Sequence, residues 1–130
     1  MRLLLDTSVL IWCLEGNETR LGVAVAAAVR DPRNSVFVSS VTPWEMAIKL
    51  SLRRLNIRPN LAAWLSQELD NSGFALLPIQ LEHAVRVEHL PRHHNDPFDR
   101  LLIAQAEIEG LTLVTGDRQL AAYNPRAIWC

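Results

Sequence analysis

Short apolar runs alternate along the chain with longer stretches in which apolar residues recur every three or four positions, the pattern of βα units around a mostly parallel sheet. Leu3 to Leu5 predict a first strand, and Ser8 to Leu14 a short helix that stops before Gly16. The alanine-rich stretch Thr19 to Arg30 predicts a second helix, closed by the Asp31-Pro32 turn. Val36 to Val38 predict a strand leading into a helix from Pro43 to Arg54, and Leu61 to Asn71 a further helix before a strand at Phe74 to Leu77. Leu81 to Glu88 read as helical up to the Pro91 break. The best-marked helix runs from Asp96 to Glu109, with Pro97 in its first turn and Gly110 just past its end. Thr112 to Val114 then predict a fourth strand, Gln119 to Tyr123 a helical turn and Ala127 to Trp129 an edge strand. The expected fold is therefore α/β, a three-layer α/β/α sandwich on a mostly parallel sheet of four or five strands.

Composition narrows the function classes. With 130 residues, 49% hydrophobic and 21% charged, the expectation is one domain over residues 1–130 with a real core. No apolar stretch is long enough to span a bilayer, and Asp6 interrupts the apolar N-terminus, so the chain is expected to be cytoplasmic and not membrane-bound. Two cysteines, Cys13 and Cys130, predict neither a disulfide framework nor a zinc knuckle. Thirteen basic and fourteen acidic residues give a net charge of -1, so any nucleic-acid partner has to be argued from a local site.

Four carboxylates stand where a strand-like run ends or a helix begins: Asp6, Glu45, Asp99 and Asp117. Each also has a purely local reading. Asp6, before Thr7-Ser8, suits a helix N-cap; Glu45 completes a capping box with Thr42; Asp117 follows Thr115-Gly116 at a turn. Asp96 is a natural N-cap for the helix in which Asp99 gains from the dipole. Capping does not, however, predict convergence. In an open α/β sheet these positions gather at one edge, where ligands bind. Helix dipoles offset about 0.3–1 kcal/mol per anion, too little to hold four like charges together, whereas a divalent cation suffices. All-oxygen ligands favour a hard ion, Mg²⁺ or Mn²⁺.

Leu4-Leu5-Asp6-Thr7, the segment from Val41 to Lys49, the run from Asp96 to Ala106 and Leu113-Val114-Thr115-Gly116-Asp117 together resemble PIN-domain proteins. More narrowly, they are similar to the VapC-type ribonuclease toxins of bacterial toxin–antitoxin pairs. The resemblance covers nearly the whole chain in order. It implies that Asp6, Glu45, Asp99 and Asp117 form an acidic quartet that binds Mg²⁺ or Mn²⁺ and hydrolyses RNA phosphodiesters. Thr115 matches a position that steadies the cluster by hydrogen bonding, and Asp96 accompanies Asp99, either at the metal or as a cap. Leu120 departs from the Phe that many relatives carry, a matter of packing. The resemblance also implies a homodimer and a small cognate antitoxin encoded by the neighbouring gene.

Within that scheme Asp6, Asp99 and Asp117 are expected as metal ligands, and Glu45 as a water-orienting base or a ligand to a second ion. Lys49, Arg53, Arg54 and Arg58 form the densest basic stretch, equally readable as a solvated helix face or as RNA-phosphate contacts. Arg100, beside Asp99, is a candidate phosphate contact or a partner for a carboxylate. His93 and His94 read as loop surface, and Trp12, Trp44 and Trp64 as core or interface rather than base-stacking groups. A haloacid-type phosphohydrolase would want a second acid two residues after Asp6, where Ser8 stands. A non-catalytic RNA- or protein-binding module on the same fold is the remaining alternative.

Overall fold

The computed structural model describes residues 1–52, 60–92, 95–123 and 127–129. Five strands, β1 (Arg2–Leu5), β2 (Ser35–Ser39), β3 (Ala75–Leu77), β4 (Thr112–Thr115) and β5 (Ile128–Trp129), form one sheet in the order β3-β2-β1-β4-β5. Every pairing is parallel, with Leu5 of β1 set between Val38 of β2 and Val114 of β4. The helices are α1 (Thr7–Glu15), α2 (Glu18–Arg30), α3 (Val41–Ser51), α4 (Leu61–Ser72), α5 (Leu81–Arg86) and α6 (Pro97–Glu109). Short 3-10 turns follow α5 at Val87–His89 and β4 at Arg118–Ala122.

The period-two alternation of the strands divides the core in two. Leu3, Leu5, Val36, Val38 and Val114 face one side, packed on side chains of α1, α2 and α4. Leu4, Phe37 and Leu113 face the other, against Leu102, Ile103 and Ala106 of α6. Helices therefore cover both faces, the three-layer arrangement expected, and α3 contributes Met46 to one cluster and Val41 to the other. Burial on both faces explains why the strands read as continuous apolar runs rather than alternating ones.

Two local expectations need correction. The Thr42–Glu45 capping box does not form: α3 begins at Val41, two residues before the expected start at Pro43, because the N–H that proline lacks falls among those a first helical turn leaves unused. Ser40 occupies the cap position but its hydroxyl accepts from the Ile79 N–H, while the Ser39 hydroxyl takes the Val41 N–H. Inside α2, Gly22 adopts φ 75°, so a first turn carrying Arg20 is broken from the rest of the helix. The expected continuation of α3 to Arg53 and Arg54, together with Arg58, His93 and His94, lies outside the described residues.

Candidate active site

From β1 the chain steps out to β2 and β3, then returns across the sheet to β4 on the other side of β1. The carboxyl ends of β1 and β4 thus flank the point where the strand order reverses, the usual ligand crevice of an open parallel sheet. Asp6 directly follows β1, and Asp117 lies two residues beyond β4. The N-terminal turns of α3 and α6 bring in Glu45, Asp96 and Asp99. All five carboxylates line one cavity of about 220 Å³, together with Thr7, Ser8, Trp12, Lys49 and Gly116. The structure thus places the four nominated acids on one site from four separate chain segments. Their oxygens are spread around it: among the described residues, no three carboxylates of this cavity hold oxygen atoms within 4.8 Å of one another.

Asp6 is the most constrained of them. One of its oxygens, Oδ1, accepts the Val9 N–H at 2.8 Å, the cap of α1. The other, Oδ2, accepts the Thr115 hydroxyl at 2.5 Å and the Gly116 N–H at 3.3 Å. Burial pushes the Asp6 carboxyl above its ordinary 3.8; the hydrogen bonds from Thr115, Val9 and Gly116 pull it back, and the charge on Glu45 adds to the rise. The Thr115 hydroxyl oxygen also accepts the Asp117 N–H at 2.9 Å, so one side chain orients two of the acids. Asp117 in turn caps the following 3-10 turn through Gln119, and Asp96 caps α6 by accepting the N–H groups of Phe98 and Asp99. Capping and site geometry are therefore compatible for the same residues.

Glu45 is buried yet supported on both oxygens. Thr7 donates its hydroxyl to Oε1 at 2.7 Å, and the Lys49 ammonium pairs with Oε2 at 2.7 Å from the next turn of α3. Thr7 was not singled out from sequence, although its place beside Asp6 at the start of α1 was the available signal. Trp12 and Gly116 were missed as site residues as well. Gly116 lies under the indole so closely that a Cβ there would come within 2.7 Å of the Trp12 ring. Of the other tryptophans, Trp64 packs against the core, whereas Trp44 is 60% exposed and meets Phe98 edge-on at 5.2 Å.

Arg100 stands elsewhere. Expected as a phosphate contact, it is 9% exposed and donates to the carbonyls of Pro91 and Val87 at 3.0 Å and to the Tyr123 hydroxyl at 3.3 Å. Although it follows Asp99 directly in sequence, its side chain leaves the helix on another bearing, because successive helical residues point about 100° apart. The tightest group of metal-type side chains among the described residues is Glu82, His83 and Glu109, at the far end of α6 from Asp99. There His83 is fully buried, accepting the Gln80 N–H at Nδ1 and lying 2.8 Å from Glu109 at Nε2. One ring nitrogen thus caps α5 and the other joins α5 to α6.

A parallel α/β sheet with an acidic crevice at its reversal point defines a class of phosphate- or metal-handling domains, and comparison narrows it. The family model of the PIN domain matches residues 3–124, and the chain belongs to that family. In structure it is similar to VapBC2 from Rickettsia felis bound to a promoter DNA fragment, at a TM-score of 0.67 and 14% identity over 100% of this chain and 98% of that one. It is also similar to a toxin–antitoxin complex from Klebsiella pneumoniae (TM-score 0.62, 22% identity, 97% and 95% covered). VapBC-1 from nontypeable Haemophilus influenzae compares at 0.63, with 14% identity and coverage of 100% and 97%. At these identities the likeness establishes the fold. No curated protein sequence matches the chain.

Proposed function

We propose that the protein is a metal-dependent endoribonuclease and the toxin of a toxin–antitoxin pair. The observation that carries this reading is the single cavity lined by Asp6, Glu45, Asp96, Asp99 and Asp117 at the reversal point of a PIN-family sheet. The donors suit a hard divalent cation, Mg²⁺ or Mn²⁺: they are carboxylate oxygens with no thiol among them, and one, Asp6, is buried at a cost that a cation relieves. Asp6 and Asp99 would be its principal holders, Asp6 through the lone pair that the Val9 hydrogen bond leaves on Oδ1, with Asp117 completing the site directly or through water. When bound, such a cation polarises a phosphoryl oxygen and eases ionisation of a water.

The chain's own residues do the rest. Thr115 keeps Asp6 and the Asp117 backbone in register, so two acids from β1 and β4 present a fixed edge to the phosphodiester. Glu45, oriented by Thr7 and Lys49, accepts the proton of the attacking water. Lys49 keeps that carboxylate's charge from adding to the repulsion of an incoming phosphate.

A cognate antitoxin is supported by the solved toxin–antitoxin complexes of the same fold. An apolar groove lined by Trp44, Leu61, Leu65, Phe74 and Leu76 supports such a protein partner further. The test is cleavage of a structured RNA by the purified chain. Mg²⁺ or Mn²⁺ should support cleavage, excess chelator should abolish it, and Asp99→Asn should leave none detectable. Cleavage that persists in chelator sinks the metal mechanism; binding of RNA with no cleavage under any divalent ion points to the non-catalytic module.

A further inference from the structure

We propose that Arg20 binds a phosphate of the RNA substrate, held for that purpose at the mouth of the acidic cavity by Trp12. The inference rests on the nuclease reading above and adds to it a residue that neither the motif pattern nor the basic stretch after Glu45 indicated.

The guanidinium carbon of Arg20 lies 5.6 Å from the centre of the Trp12 ring. Trp12 is half-buried, lines the acidic cavity and rests on Gly116, the residue between Thr115 and Asp117. Trp12 therefore touches both Arg20 and the glycine whose N–H binds Asp6. Its side chain is exposed, and among the described residues no carboxylate lies within ion-pair distance of it. A guanidinium stacked on an aromatic face keeps the N–H donors around its edge, and that fork matches two phosphate oxygens. The break at Gly22 leaves the turn carrying Arg20 separate from the body of α2, and Asn17 caps that turn at the Arg20 N–H.

The charges of the described lining favour such a group. Among the described residues, five carboxylates and one ammonium line the cavity, and that ammonium pairs with Glu45. Arg100 is buried in another cluster of contacts. A polyanion approaching this surface meets net negative charge unless cations stand beside it, and ionic contacts to phosphates supply most sequence-independent affinity for nucleic acid. Arg20 offers that contact to a phosphate flanking the one at the acids.

Binding is measured in the Asp99→Asn background, so that RNA stays intact, by fluorescence anisotropy of a labelled mixed-sequence single-stranded RNA over a range of salt concentrations. Arg20→Ala should weaken binding about five- to tenfold at low salt, equally for different sequences, and reduce the salt slope by about 0.7. Arg20→Lys should keep the slope, and Arg33→Ala, in the turn that follows α2, should change neither quantity. In the otherwise wild-type chain, Arg20→Ala should raise KM while kcat stays near its original value, which a purely structural role would not produce. An unchanged affinity and slope for Arg20→Ala, in a protein whose wild type still cleaves RNA, overturns this inference alone. A wild type that neither binds nor cleaves RNA overturns the nuclease reading with it. Loss of affinity for a partner protein with RNA binding untouched would assign Arg20 to a protein interface and also overturn the proposal.

Discussion

Asp6 concentrates the energetic tension of the molecule in one side chain. It is buried, and its three hydrogen bonds only partly offset the loss of solvent. Its pKa in the folded state therefore exceeds that of the unfolded chain. Between those two values the folded state binds a proton that the unfolded state has lost, so stability falls as pH rises through the window and stays reduced above it. In chelator, the melting temperature of wild type should decline relative to Asp6→Asn as pH climbs from 3.8 through the raised value. The neutral variant keeps one oxygen for the Val9 cap and should melt at or above wild type at neutral pH, yet show no cleavage. Excess divalent cation should raise the wild-type melting temperature and leave the variant largely unmoved. An Asp6→Asn protein that melts far below wild type in chelator would show that its hydrogen bonds to Thr115 and Gly116 outweigh the buried charge.

Among the elements, α6 performs two tasks on two faces. Its N-terminus presents Asp99 to the cavity while Asp96 and Pro97 start the helix there. A quarter-turn away, Arg100 ties the helix to the 3-10 turn after α5 and to the Pro91 loop. Removing that guanidinium deletes its hydrogen bonds to the Val87, Leu90 and Pro91 carbonyls and to the Tyr123 hydroxyl, so Arg100→Ala should cost about 2–4 kcal/mol in denaturant unfolding. The salt slope for RNA binding should stay as in wild type at temperatures where the variant is folded. A lowered slope without lost stability would return Arg100 to the substrate side.

For the whole molecule, the toxin reading predicts that expression of the chain alone arrests growth and that co-expression of its genomic neighbour relieves the arrest. The motivation is the common fold with solved toxin–antitoxin complexes together with an acidic site and an apolar groove. Comparing wild type with Asp99→Asn separates the causes: equal toxicity would place the arrest outside the proposed site. A harmless wild type at verified expression would favour a housekeeping nuclease or a binding module.

Much of this was legible in the chain because the relevant physics is local. Apolar runs buried on both faces mark β1, β2 and β4, and the Asp96-Pro97 start and Gly110 stop bound α6 through backbone chemistry that acts over a few residues. The positions of Asp6, Glu45, Asp99 and Asp117 at strand ends and helix starts carried the site for the same reason. The start of α3 was less legible, since a Ser-Val-Thr-Pro stretch offers several caps and the choice fell to Ile79, 39 residues from Ser40. What only the tertiary structure decided is which neighbours each charge acquires. Lys49 turns to Glu45, Arg100 turns inward to Val87 and Pro91, and Arg20 settles on Trp12 over a glycine ninety-six residues beyond it in sequence. Long basic side chains have many rotamers and no periodic signature, so the packing around them, and not their spacing along the chain, selects the partner.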